Sequence, residues 1–124
     1  ITDIAILEVH FGAIATLAES AAYCIKKNYP VEIFIEQLRN ILPMMLEGNY
    51  RAFEDGLKEY DRNFEDASEC ALTMETIAME TILRSINDSG VKTPCGDSII
   101  GLFKDGIEKG NGKKNVVAIV NELI

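Results

Sequence analysis

Four polar side chains interrupt an otherwise apolar stretch at the start of the sequence, and their types could do acid–base chemistry. They are Asp3, Glu8, His10 and Glu19. Asp3 and His10 are seven residues apart, so two helical turns place them on one face, about 10 Å apart along the axis. That distance excludes a direct hydrogen bond but lets both contact one ligand. A carboxyl group in apolar surroundings has a raised pKa, which suits proton delivery.

The same two residues also fit a structural role. Asp3 can cap the helix, because a short carboxylate accepts hydrogen bonds from the free amides of the first turn. His10 can be a histidine satisfied within a core or an interface. The spacing alone leaves both interpretations open.

Other motifs that bind cofactors or metals are missing from the sequence. There is no G-x-G-x-x-G after a strand and no G-x-x-x-x-G-K-[S/T], so no phosphate-binding loop is predicted. Cys24, Cys70 and Cys95 form no close pair with each other or with His10, and we expect no zinc site. An odd number of cysteines without C-x-x-C is typical of a reducing cytoplasm rather than a disulfide framework.

Length and charge exclude further classes of protein. The chain has 124 residues, of which 48% are hydrophobic, enough for one domain with a core but too few for a nucleotide domain plus a substrate domain. A formal net charge of −8 argues against binding to nucleic acid or to an anionic membrane.

Apolar residues at helical spacing predict one all-α domain over residues 1–124, without internal repeats. Pro43 is expected to kink or break the second helix, and Gly90 to form a left-handed cap. Gly96, Gly101 and Gly106 are interpreted as points of close helix packing. The predicted helices run from Thr2 or Asp3 to Lys26–Asn28, from Pro30 to about Glu47, over residues 50–57, from about Phe64 to Gly90, from Thr93–Pro94 to Gly110, and from Val116 to Leu123.

The first helix is apolar on nearly every face and therefore must be enclosed. Its most apolar part, Val9–Ile25, is shorter than the roughly 20 residues that span a bilayer, so we expect a buried helix of a protein without a membrane partner. One domain of this size cannot surround such a helix. A second copy of the chain would complete the cover.

Two segments resemble the C-terminal helical domain of the 6-phosphogluconate dehydrogenase and β-hydroxyacid dehydrogenase superfamily, in particular its imine reductase and reductive aminase branch. Residues 2–12, Thr-Asp-Ile-Ala-Ile-Leu-Glu-Val-His-Phe-Gly, resemble the Tyr-Asp-Leu-Ala-Leu-Leu start of the long interdomain helix. Residues 90–94, Gly-Val-Lys-Thr-Pro, are similar to the turn before a later helix of the branch, and Gly110-Asn111-Gly112 is similar to its Gly-His-Gly.

This resemblance implies a longer protein. An N-terminal Rossmann domain, outside this chain, would bind NADPH, and the helical domain would exchange around a partner to form an intertwined homodimer. The active site would lie between the nucleotide-binding domain of one subunit and the helical domain of the other, where it would bind a small-molecule substrate.

The resemblance also assigns roles to individual residues. Asp3 falls on an aspartate that is a candidate proton donor or substrate-amine anchor. Phe11 stands where the branch has a tyrosine, so its ring remains without the hydroxyl, and His10 is the candidate substitute. Hydroxyacid dehydrogenases carry a catalytic lysine near this part of the helix, whereas the first lysine here is Lys26.

Four apolar residues are expected to line the substrate pocket. Met44 follows the proline of the second helix, where an aromatic residue is frequent in the branch, and Met74 falls near another pocket position on the third helix. Both methionines also fit an ordinary hydrophobic core. The expected pocket residues are Leu7, Phe11, Met44 and Met74.

Three hypotheses follow for the chain. The first is the dimerisation and substrate-side domain of an NADPH-dependent imine reductase-like enzyme, inactive on its own. The second is the same architecture acting on a hydroxyacid. The third is a non-catalytic helical dimerisation module whose buried polar residues set the register.

Overall fold

The computed structural model describes residues 1–57, 64 and 70–124, and the described part is helical. No strand occurs among these residues, and an isolated antiparallel bridge pairs Ala71 with Asn115. The prediction of an all-α domain is therefore confirmed. The elements are α1 (Thr2–Lys26), α2 (Val31–Gly56), α3 (Leu72–Asp88), α4 (Pro94–Glu108) and a C-terminal 3₁₀ helix (Val116–Leu123).

Three helices end at residues in the left-handed conformation. Asn28 has φ 56° after α1, and the Tyr29 amide donates to the Cys24 carbonyl at 2.8 Å, the pattern of a Schellman motif. Gly90 and Gly110 have φ 90° and 92° after α3 and α4. The predicted cap at Gly90 and the predicted end of the fourth helix at Gly110 are confirmed.

Helix α2 is longer than the sequence predicts. The predicted end near Glu47 and the separate helix over residues 50–57 are wrong, because one helix continues to Gly56 and contains Pro43. A salt bridge of 3.3 Å between Glu47 and Arg51, one turn apart, stabilises the stretch where the helix was expected to end. Tertiary packing of the last turns offsets the hydrogen bond lost at Pro43.

That packing involves the far end of α2, Phe64 and the 3₁₀ helix. The Phe64 ring lies directly against the Cα of Gly56, where a Cβ would not fit, and Ala52 packs on the same cluster. The cluster contains the buried residues Phe64, Val117 and Ala118.

Helix α3 begins later than predicted. Phe64 and Ala71 are not helical, whereas residues 65–69 lie outside the described part of the chain. The first amides of α3 donate to the turn before the 3₁₀ helix, Leu72 to the Lys114 carbonyl and Thr73 to the Gly112 carbonyl, both at 2.9 Å. This pairing fixes the start at Leu72. The last element, predicted as a short α-helix, is a 3₁₀ helix, and the turn before it is joined to α3 by these hydrogen bonds.

The core lies where α3, α4 and the 3₁₀ helix meet. Leu72 is fully buried there. A Cβ at Gly96 would collide with the Leu83 side chain, and one at Gly106 would lie 2.7 Å from Leu72 Cδ2, so both glycines are close-packing points as predicted. Gly101 has open space around it, and the prediction is wrong at that position.

Helix α1 is not enclosed by its own chain. Every residue from Thr2 to Ile14 is exposed, and Cys24 is the one buried residue of the helix. The expectation of a buried helix is therefore not met within this chain. The length argument against a membrane span is also wrong, because the 25-residue helix is long and apolar enough to cross a bilayer by length and composition. Core helices of other proteins share those properties.

Candidate functional site

Asp3 lies in the first turn of α1 with its side chain exposed. Ile1 occupies the cap position, and no side-chain cap hydrogen bond forms there. The helix starts at Thr2 as predicted, but the capping role proposed for Asp3 is absent. Its carboxylate makes no hydrogen bond or ion pair to any residue that the structure describes, and it is free for a group outside this chain.

His10 is two turns further along α1 and is also exposed. Its ring contacts the ring of Phe11 in a tilted arrangement, with the centroids 5.5 Å apart and the planes at 48°. No hydrogen bond satisfies His10 within the described residues, so it is not a core histidine of this chain. The arrangement leaves an imidazole and a benzyl ring side by side on the same exposed helix.

The four predicted pocket residues are exposed on three different helices. The exposed fractions are 49% for Leu7, 63% for Phe11, 74% for Met44 and 60% for Met74. Neither methionine therefore belongs to the core of this chain. Among the described residues, no hydrogen bond, ion pair or ring contact joins Asp3 or His10 with the methionines of α2 and α3. The six predicted site residues are divided among three helices: four lie on α1, and Met44 and Met74 lie on α2 and α3.

Glu19, which the sequence shows only as a polar residue in an apolar helix, has a defined structural role. Its Oε1 accepts from the Cys95 amide at 2.6 Å and its Oε2 from the Gly96 amide at 3.2 Å. The carboxylate of α1 thereby caps the amino end of α4, where the free amides favour an anion. The Thr93 hydroxyl lies 3.0 Å from Asp97 Oδ1 instead of capping the helix itself.

The contact with Glu19 also affects the pKa of the Cys95 thiol. Burial raises the pKa of the Cys95 thiol, and the charge of Glu19 and its hydrogen bond raise that pKa further. The thiol is therefore held protonated at neutral pH, which makes it a poor nucleophile. A carboxylate within an apolar helix and the uncapped start of α4 at Pro94 are the two sequence signals that could have paired these elements.

A second network fixes the C-terminal 3₁₀ helix. The Glu122 side chain is 3% exposed, and its carboxylate lies 2.7 Å from the Lys109 ammonium. It also accepts a hydrogen bond of 3.0 Å from the side-chain amide of Asn111. The hydrogen bond and charge of Glu122 raise the pKa of Lys109. Asn111, which stands at the histidine of the Gly-His-Gly motif, is thus a structural residue in this chain.

Two helix starts among the described residues offer no free amides to a phosphate group. A bound pyrophosphate needs free amides at a helix start, but those of α4 are taken by Glu19 and those of α3 by backbone carbonyls. No group of three His, Cys, Asp or Glu that could hold a metal ion occurs in the described part. The expected absence of a metal remains a prediction for the whole protein.

Comparison with solved structures gives close matches in fold. An imine reductase from Pseudomonas sp. superposes with a TM-score of 0.86 at 17% identity, and a reductive aminase from Aspergillus terreus in complex with NADPH and ethyl levulinate with 0.87 at 19%. An imine reductase from Myxococcus stipitatus in complex with NADP+ superposes with 0.84 at 15%. The matches cover 99% of this chain and 41%, 42% and 44% of those proteins. The chain thus spans about two-fifths of their length.

Comparison by sequence gives a family but no individual relative. No curated protein matches the chain. The family described as NADPH-dependent reductive aminase-like, C-terminal domain, matches residues 1–124. The family model thus matches the whole of this chain. The superpositions likewise match the whole chain to only one part of each solved protein. The chain belongs to the family of NADPH-dependent reductive aminase-like C-terminal domains.

Proposed function

We propose that this chain is the dimerisation and substrate-side domain of an NADPH-dependent oxidoreductase that reduces imines. One observation carries the proposal: the first half of α1, residues 2–14, is apolar yet exposed on all faces, and it presents Asp3 and His10. Exposed apolar patches of this size mark interaction sites. The NADPH would bind an N-terminal domain of the whole protein, as the family resemblance implies.

A second copy of the chain is the proposed cover of this half-helix. Ile4, Val9 and Phe11 expose 76%, 72% and 63% of their surface. The chain also exposes Met44 and Met74 on α2 and α3, the positions expected to line a pocket. In a symmetric dimer, the apolar residues of α1 of one chain would pack against the two methionines of the other chain. This packing would bury both surfaces and form a pocket from two chains.

In that arrangement Asp3 would be the proton donor or the anchor for the substrate nitrogen. Apolar side chains of the partner would exclude water from the space around the carboxyl group. His10 lies two turns away on the same face and could contact the same ligand. The pocket walls would be Leu7 and Phe11 of one chain with the two methionines of the other.

The hydroxyacid alternative has less support from the same surface. An acidic substrate needs a lysine or an arginine in its pocket, and the exposed half of α1 contains neither. The family match also names reductive aminases. The cytoplasm remains the expected location, on the cysteine content alone.

Asp3→Asn in the whole protein tests the catalytic role. General acid catalysis contributes roughly 10²–10⁴-fold, so we expect kcat for a cyclic imine to fall by about 100-fold or more. Glu8→Gln, on the same exposed half-helix, is the matched control and should keep near-normal activity. Unchanged activity of the Asp3 variant with weaker dimerisation would instead support the non-catalytic dimerisation module. Oxidation of hydroxyacids without imine reduction would support the second alternative.

A further inference from the structure

Glu19 lies between two parts of α1 that have different surroundings. Every residue of the first half, residues 2–14, is exposed, whereas the part after Glu19 contains the buried Cys24. The helix is continuous and contains no proline. Sharp kinks in helices almost always need a proline, a bulge or an inserted group. The direction of the exposed half is therefore set by the contacts that hold the other half.

The contact of Glu19 with α4 joins two helices through both oxygens of one carboxylate. Oε1 accepts from the Cys95 amide at 2.6 Å, and Oε2 accepts from the Gly96 amide at 3.2 Å. In the described part of the chain, these are the hydrogen bonds that join an α1 side chain to another helix. A carboxylate held at both oxygens is fixed in orientation as well as in distance. Glu19 therefore restrains the angle between α1 and α4.

The start of α4, to which Glu19 binds, is itself held by close packing on α3. A Cβ at Gly96 would collide with the side chain of Leu83, which is buried. Thr93, the residue before α4, is also buried, and its hydroxyl lies 3.1 Å from Asn87 Oδ1 at the end of α3. Closely packed interiors leave little room for side chains to shift. The amides that bind Glu19 are thus a fixed point in the core of the chain.

The length of α1 magnifies any change of direction at this point. Asp3 and Glu19 are sixteen residues apart on the helix, about 24 Å along its axis. A tilt of about 5° at Glu19 would therefore move Asp3 by about 2 Å. A misplacement of about 1 Å can cost a reaction about 100-fold in rate. A small change at Glu19 thus has a large effect at the other end of the helix.

We propose that Glu19 is a positioning residue for Asp3. Its carboxylate fixes α1 to the start of α4, and this contact sets where the exposed half of α1 meets the second copy of the chain and where Asp3 meets the substrate nitrogen. Glu19 acts through the direction of the helix and does not touch the substrate. Its substitution affects activity as well as folding. The inference rests on the proposed function and adds a residue to it.

A double-mutant cycle in the whole protein tests the inference, with kcat for a cyclic imine as the measurement. Glu19→Gln keeps the size of the side chain but replaces one acceptor oxygen by an amide nitrogen that cannot accept. With Asp3 intact, kcat should fall by at least about tenfold. With Asp3→Asn, the same change should lower kcat by less than about twofold, because the group that Glu19 positions is gone. Equal factors in the two backgrounds, or an unchanged kcat of Glu19→Gln, would overturn the inference.

A second core variant separates positioning from a general loss of stability. Val117 is buried in a cluster that includes no described residue of α1. Val117→Ala should lower the melting temperature but keep kcat within about twofold of the wild type below that temperature. A tenfold loss of kcat in this control would contradict the positioning role.

Glu19→Asp is the second variant if Glu19→Gln does not fold. It keeps the charge but shortens the reach of the carboxylate by one methylene, and the same dependence on Asp3 is expected. A normal loss of activity in Asp3→Asn without any effect of Glu19 would contradict the positioning role alone. Wild-type kcat in Asp3→Asn would overturn the catalytic role of Asp3 and this inference with it.

Discussion

The two halves of helix α1 have similar composition but different surroundings. The first half, residues 2–14, has no buried residue, whereas the second half, residues 15–26, contains the buried Cys24 and caps α4 through Glu19. The first half carries two acidic residues, Asp3 and Glu8, and the second half carries Glu19. Among the described residues, only Glu19 of these three has hydrogen-bond partners, the Cys95 and Gly96 amides.

This difference shows how one helix can belong to two structures. The second half is fixed by contacts that form within the chain. The first half has no buried residue in its own chain, and we propose that another molecule covers its apolar surface. Substitutions should therefore affect folding in one half and assembly or activity in the other.

The largest expected contrast is between a core leucine and a leucine of the first half of α1. Leu72→Ala leaves a cavity in the core and should lower the free energy of unfolding by about 2–5 kcal/mol. Leu7 is 49% exposed, so Leu7→Ala should change the stability of the separated chain by less than about 0.5 kcal/mol. Urea unfolding at low protein concentration measures both. A loss of several kcal/mol for the Leu7 variant would show that the first half belongs to the chain's own core.

A smaller contrast is expected between the two glutamates of α1. Glu19→Ala removes two charge-assisted hydrogen bonds and leaves the Cys95 and Gly96 amides without an acceptor, at a cost of about 1–3 kcal/mol. Glu8→Ala, on the exposed half, should stay within about 0.5 kcal/mol of the wild type. Thermal unfolding measures the difference. Equal melting temperatures would mean that Glu19 does not fix α1 to α4.

The smallest effect is expected at Lys109 and depends on pH. The pKa of Lys109 is raised by Glu122, so the ion pair contributes stability below the ordinary lysine value of about 10.4. That contribution is lost as pH rises through the raised pKa. Lys109→Met should therefore melt below the wild type at pH 7 and approach it as the pH rises through the raised pKa. Lys113→Met is the control, and a pH-independent difference at Lys109 would contradict the role of its charge.

Local patterns predicted most of the fold. Helical spacing of apolar residues located α1 and α4, and the left-handed glycines located the ends of α3 and α4, because these features depend on neighbouring residues alone. The errors have non-local causes. Helix α2 continues past Pro43 because Phe64 and the 3₁₀ helix hold its far end, and α3 starts at Leu72 because the 112–114 turn pairs with it.

Less of the candidate site than of the fold could be predicted from the sequence. Asp3 and His10 were visible as polar residues in an apolar helix, but their roles and the pocket residues followed only from a family resemblance. Glu19 was visible as a polar interruption, but its partners lie 76 and 77 residues away. Spacing within one helix cannot indicate a contact of that range.

Co-production of two inactive variants of the whole protein tests the central claim that one site is built from two chains. One variant carries Asp3→Asn and the other Met44→Arg, which blocks the pocket wall. In a mixed dimer, the Asp3 of one chain meets the intact Met44 of the other, so one of two sites is restored. Random assembly should then recover about a quarter of the wild-type imine reduction. Activity no higher than that of the two variants measured separately would contradict a site shared between chains.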